Sequence, residues 1–324
     1  MKRDWLPLLL LPALGVAAFP FVGSASSWMT LTVAGLAMGL MIFIMASGLT
    51  LTFGLMDVLN FGHGAFIAVG AFVAASVMLA LGPWMAASSA GLNLSAVGIA
   101  ILAAMAVSGV LGWAFERIVV RPVYGQHLKQ ILITTGGLIV AEQLLKVIWG
   151  PEQITLTRPE ALRGAFLLGD IAVEKYRVLA VVIGLAVFAA LSLTLNRTRI
   201  GLLIRAGVEN GEMVEALGYR IRRLFVGVFV AGSALAGLGG AMWGLYQEVV
   251  TAAIGGQVIV LVFIVIIIGG LGSVGGCFVG ALLVGLTANY VGFLAPKVAL
   301  GSNILLMALV LLWRPQGLYP VAKR

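Results

Sequence analysis

Ten runs of apolar residues, nearly free of charge, dictate what this chain can become. They lie at 5–22, 29–54, 62–82, 95–115, 131–149, 178–195, 224–247, 257–269, 277–295 and 299–313. A helix crossing a hydrocarbon core of roughly 30 Å needs about 20 mostly apolar residues. The runs at 257–269 and 299–313 fall short of that. The reading is therefore an all-α polytopic bundle with eight full spans, and up to ten segments. Composition agrees, because 10% of the 324 residues are charged, against about 25% in soluble domains. So few charges cannot cover a soluble surface, which excludes a soluble enzyme, a nucleic-acid reader and a disordered scaffold. The first run also reads as a signal peptide, with Lys2 and Arg3 before it and GSASS after it. Asp4, Pro7 and Pro12 fit neither reading cleanly, and a retained helix is the expectation.

Charge asymmetry orients the bundle. The loop 116–129 carries Arg117, Arg121 and Lys129 against Glu116. The loop 196–223 carries Arg197, Arg199, Arg205, Arg220, Arg222 and Arg223 against Glu209, Glu212 and Glu215. Between them, 150–177 is balanced. The positive-inside rule places the two basic loops in the cytoplasm, with Arg314, Lys323 and Arg324 of the tail, and 150–177 outside. Neither polar stretch is long enough for an independent catalytic fold, so residues 1–324 are expected to form a single transmembrane domain. No Gly-Lys pair is present for a phosphate-binding loop, and HExxH and GxSxG are absent. Cys277 alone allows no internal disulfide or cysteine-cluster metal site, and His63 and His127 leave little for a histidine site. No catalytic, cofactor or metal set is expected. Uphill transport would need an ion gradient or a separate ATPase.

Two stretches break the apolar pattern. GLMDVLNFGHGAF, Gly54 to Phe66, places Asp57, Asn60, Gly62, His63 and Gly64 between hydrophobic runs. IIGGLGSVGGCF, Ile267 to Phe278, contains Gly270, Gly272, Ser273 and Gly275. Each glycine costs a helix about 1 kcal/mol against alanine. Paired interruptions in the two halves of a chain point to a transporter's substrate path; two ordinary turns at a wet interface are the alternative. GHGAFIAVGAF at 62–72 and GGCFVGALLVG at 275–285 are weakly alike, as a repeat or as chance would make them. Asp57 either contacts a substrate or ion by its charge or braces backbone N–H groups. For His63 a neighbouring carbonyl is the favoured partner. Glu142 and Lys146 form an i,i+4 pair with a structural role. Gly35 and Gly39, Gly276 and Gly280, and Gly232, Ala236, Gly240 and Gly244 form small-residue stripes suited to packing inside the bundle.

Within 196–223, Asn210 is placed to cap a short helix carrying Glu212 and Glu215 in its first turns, and Gly218 to end it. Met213, Val214 and Leu217 would share one face. So short a helix is marginal alone. It either docks on a partner or lies on the bilayer surface.

TRIGLLIRAGVENGEMVEALGYRIRRL resembles the cytoplasmic coupling segment of the branched-chain amino-acid family of ABC-importer permeases. GLTLTFGLMDVLNFGHGAFIAVGA and VFIVIIIGGLGSVGGCFVGALLVG resemble that family's most characteristic membrane stretches, and WRPQGLYP its C-terminal signature. The resemblance covers residues 30 to the end, closest to the smaller, LivH-like type. It implies a permease subunit without its own ATPase site, in a bacterial inner membrane. Its implied partners are a second, longer permease, two cytoplasmic ATP-binding subunits, a periplasmic solute-binding protein and membrane lipid, with no nucleic acid. It makes Glu209, Glu212, Met213, Glu215, Leu217 and Gly218 the ATPase-coupling candidates. The implied substrates are leucine, isoleucine and valine, with urea, short amides or aromatic acids as alternatives. The competing reading is an ion-coupled transporter using Asp57, Glu142 or Glu248. A membrane enzyme lacks any paired catalytic set.

Overall fold

A computed structural model describes residues 5–56 and 58–320. Every apolar run is helical. α1 (Leu6–Val22), α2 (Ala25–Met56), α3 (His63–Ala80), the single turn α4 (Gly82–Met85) and α5 (Ala90–Phe115) come first. α6 (His127–Trp149) and α7 (Lys175–Arg197) precede two short helices, α8 (Arg199–Glu209) and α9 (Gly211–Ala216). α10 (Ile221–Gln247), α11 (Ile254–Gly269), α12 (Val274–Leu294) and α13 (Ala299–Trp313) complete the order. Among the described residues seven helices are long and apolar enough to cross a membrane: α2, α3, α5, α6, α7, α10 and α12. α1, read from the sequence as an eighth span, has 17 residues and two internal prolines, and falls just under that length.

Two loop boundaries differ from the charge-based reading. α5 continues through a π turn at Glu116–Val120 and a 3-10 turn at Arg121–Val123, leaving only 124–126 unwound before α6. Charged side chains at a span end lay their stems along apolar surface and reach water at the tip, so charge need not stop the helix. The loop 196–223 is likewise mostly helical, as α8 and α9.

The small-residue stripes pack inside the chain. A Cβ on Gly39 would lie 2.7 Å from the Ala281 carbonyl, one on Gly232 2.7 Å from that of Gly48, and one on Gly240 1.9 Å from that of Ile67. Lipid tails are as apolar as leucine, so such close approach, rather than a hydrophobic force between helices, holds the bundle together. Phe43 of α2 meets Phe188 of α7 edge-on at 5.8 Å and Phe278 of α12 at 5.4 Å, while Phe188 and Phe278 stack at 4.1 Å. Cys277 is fully buried in this core. A thiol reacts as the exposed thiolate, so a charged maleimide should leave Cys277 unlabelled in the native protein and label it after denaturation. Rapid native labelling would contradict the packing.

One end of the bundle gathers the basic segments. Ile204 of α8 shares a buried cluster with Leu51 and Val228, against which Met56 and Val274 also pack. Arg117 and Arg121 line one cavity with Arg222 and Arg223. The opposite end carries two small antiparallel pairs, β1 (Ile154–Thr155) with β4 (Val249–Val250) and β2 (Ala165–Leu168) with β3 (Ile171–Glu174). Arg158 ties them to α10, 3.0 Å from Glu174 and 3.0 Å from Glu248, and it donates to the Leu245 and Tyr246 carbonyls.

Candidate functional site

Both glycine-rich interruptions are breaks between helices, and they touch. α2 ends at Met56 and α3 begins at His63; α11 ends at Gly269 and α12 begins at Val274. A Cβ built on Gly54 would lie 2.2 Å from the Gly272 Cα, so backbone meets backbone there. Phe61 of the first break packs on Phe263 of α11, with ring centroids 4.4 Å apart.

In the first break Asn60 is 1% exposed, and neither its Nδ2 nor its Oδ1 has a hydrogen-bond partner. Gly62 and Gly64 are not left-handed. The structure uses these glycines for close packing rather than for left-handed backbone. A Cβ on Gly62 would stand 2.7 Å from the Phe115 ring, and one on Gly64 2.7 Å from the Gly255 carbonyl. His63 Nε2 lies 2.9 Å from the Met45 carbonyl of α2, a bond across helices made to a backbone carbonyl. Asp57 lies outside the described residues.

The brace for this break comes from α6, and the sequence reading missed it. The Thr134 hydroxyl accepts the Phe61 N–H at 3.1 Å and donates to the Gln130 carbonyl at 2.6 Å. Gln130 in turn donates to the Val123 carbonyl at 3.1 Å. The available signal was a glutamine and a threonine four residues apart at the start of an apolar run, where polar side chains that cannot reach water seek partners. Thr134→Val keeps the shape but orphans the Phe61 N–H, a cost of about 1–3 kcal/mol. Thermal unfolding should show a lower midpoint for Thr134→Val and a near-normal one for Thr134→Ser. Equal midpoints would mean that Thr134 braces nothing.

The second break does need left-handed backbone, at Gly270 (φ 95) and Gly272 (φ 81). Ser273 caps α12 by accepting the Gly276 N–H at 3.0 Å. Gly275 faces open space, and the close approach belongs to Gly276, whose Cβ would meet the Gly269 carbonyl at 2.0 Å. The C-terminal WRPQGLYP stretch folds back here. Leu318 N–H donates to the Ile268 carbonyl at 2.8 Å and Tyr319 N–H to that of Gly269 at 3.0 Å. These bonds satisfy carbonyls that a helix end leaves unpaired.

The short helices lie at the same end of the bundle. Thr198 caps α8 through the Gly201 N–H, and Asn210 caps α9 by accepting the Met213 N–H at 3.0 Å. Glu209 closes α8, and Gly218 (φ 88) ends the segment as its position predicted. The shared apolar face needs correction. Val214 is buried, whereas Met213 is 60% and Leu217 71% exposed, flanked by exposed Glu212 and Glu215. Residues i and i+4 share a helix face, and the intervening Val214 turns inward.

Two of the charges considered for ion coupling have protein partners. Glu142 pairs with Lys146 at 2.9 Å, and Glu248 pairs with Arg158 at the opposite end of the bundle.

Residues 31–313 match the family model described as "Branched-chain amino acid transport system / permease component". The high-affinity branched-chain amino acid transport system permease protein BraD of Pseudomonas aeruginosa is 28% identical over 300 residues, covering 88% of this chain and 93% of that protein. The permease protein LivH of Escherichia coli K12 is 26% identical over 291 residues, covering 88% and 92%. LivM of the same organism is 26% identical, and the match covers 94% of this chain but 73% of that longer protein. No solved structure gives a significant match. With most of its length matched by the family model, this multi-pass membrane protein belongs to the branched-chain amino acid transport system permease component family.

Proposed function

We propose that the whole chain works as one permease domain, half of the membrane pathway of an ATP-driven importer in a bacterial inner membrane. Its cargo on this reading is branched-chain amino acids, the substrates named for its relatives. A second, longer permease would complete the pathway. Two cytoplasmic ATP-binding subunits would act at the basic end, and a periplasmic binding protein would deliver substrate at the other. The chain itself is a transport subunit without an ATPase site.

The observation that carries this reading is the cluster around Ile204. Met56 is the last residue of α2 before the first break, Val274 is the first of α12 after the second, and both pack against the cluster that holds Ile204. A push on α8 and α9 thereby reaches both breaks at once. Glu209, Glu212, Met213, Glu215, Leu217 and Gly218 form the coupling segment in this scheme, with Met213 and Leu217 as knobs for a groove on the ATPase. The breaks line the path: Asp57, Asn60, Gly62, His63, Gly64, Gly270, Gly272, Ser273 and Gly275 belong to it, and the unpaired Asn60 amide is its free polar group. ATP-driven closure rocks the bundle between outward- and inward-open states.

Reconstitution tests the scheme. Liposomes holding the full set of subunits should take up leucine only with ATP inside and binding protein outside. Uptake by this chain alone, without ATP or partners, would overturn it.

A further inference from the structure

At the basic end a cavity of about 250 Å³ opens between α5 and α10, lined by Trp113, Glu116, Arg117, Arg121, Arg222, Arg223 and Val226. None of its four arginines has an acidic partner among the described residues. Glu116 is the one carboxylate in the lining; it is 3% exposed and its Oε1 accepts the Tyr124 hydroxyl at 2.9 Å, so a single negative charge stands against four positive ones. Burial, then the bond to Glu116, raises the Tyr124 phenol above its ordinary value, so it stays a donor.

Local chemistry alone does not explain this arrangement. Helix N-termini favour acidic residues, yet α10 begins beside Arg220 with Arg222 and Arg223 in its first turn, no acidic residue there and no side-chain cap. π turns inside α-helices recur at functional sites, and the one at Glu116–Val120 falls at this cavity. Four unpaired cations and a helix N-terminus together make a seat for an anion. The upper wall is apolar. Trp113 is 49% exposed, and Val110, one turn further along α5, is 65% exposed. A tryptophan above arginines at the end of a span is the pattern of a membrane interface.

We propose that this cavity binds a phosphate-class anion, supplied by the headgroup of an anionic phospholipid whose chain runs along Val110 and Trp113. A free phosphate would use the arginines and leave the apolar wall idle. The site is separate from the helix breaks and from α9.

The test uses the full chain purified with the subunits that accompany it, delipidated and then offered lipid. Retained lipid is read by mass spectrometry, with phosphatidylglycerol, cardiolipin, phosphatidylcholine and inorganic phosphate as separate arms. Each basic side chain near an anionic surface contributes about a fivefold preference, so R117Q/R222Q should weaken phosphatidylglycerol binding roughly 30-fold. R117K/R222K, which keeps the charge, should recover most of the loss. Both positions are exposed, so these variants should fold. Equal binding of phosphatidylcholine, or undiminished binding by R117Q/R222Q, would overturn the proposal. Displacement of the lipid by millimolar inorganic phosphate would overturn the headgroup assignment. Loss of the ATPase from R117Q/R222Q with lipid binding intact would make the cavity a protein contact instead.

Discussion

Gly54→Val should abolish uptake and lower the thermal midpoint of the protein, while Gly275→Val, in the first turn of α12, should leave the midpoint unchanged. The first Cβ would sit 2.2 Å from the Gly272 Cα, and the second meets no atom within 4 Å. Valine is a slightly better helix former than glycine, by a few tenths of a kcal/mol, so propensity opposes the expected loss at Gly54. Overpacking costs about 1–3 kcal/mol where side chains can yield, and here the obstacle is backbone that cannot rotate away. Relief requires α2 to part from the second break, at a point where Gly272 is already held left-handed. Uptake should fall more than tenfold at Gly54, together with the amount of folded protein recovered. Normal uptake by Gly54→Val would show that the two breaks need not touch.

Met213→Asp is expected to leave this chain folded and inserted yet reduce ATP-driven uptake at least tenfold. Met213 is exposed in the free chain, and surface substitutions away from special features change stability by about 0.5 kcal/mol or less. In a packed apolar groove the same carboxylate would lose its water without gaining a partner, at several kcal/mol. Leu217→Asp should behave alike. Val214→Asp should not, because Val214 is buried within this chain and its replacement would damage the fold itself. Co-purification of the ATPase with Met213→Asp, together with normal uptake, would remove α9 as the docking element.

The contrast between Met213 and Val214 shows where local reading stops. Asn210 before a helical turn and Gly218 after it marked that helix, because caps depend on neighbours a few residues away. The apolar runs were legible for a similar reason, since transfer into lipid depends on each segment's own composition. Which apolar side chain turns inward depends on where α8 and α10 lie, and no short window contains that.

The all-α class, the ten apolar runs that become helical, the ends of α2 and α11 and the arginine-rich stretches 116–129 and 196–223 follow from the order of residues alone. The tertiary structure decided that the two breaks meet through Gly54 and Gly272, that Thr134 of α6 braces Phe61, and that Leu318 and Tyr319 cap α11. It also decided which glycines are conformational, Gly270 and Gly272, and which are spacers, Gly62 and Gly64. Helix propensity and hydropathy are sums over neighbouring residues. Backbone contact and hydrogen-bond satisfaction are conditions on pairs far apart in the chain, and only folding brings such pairs together.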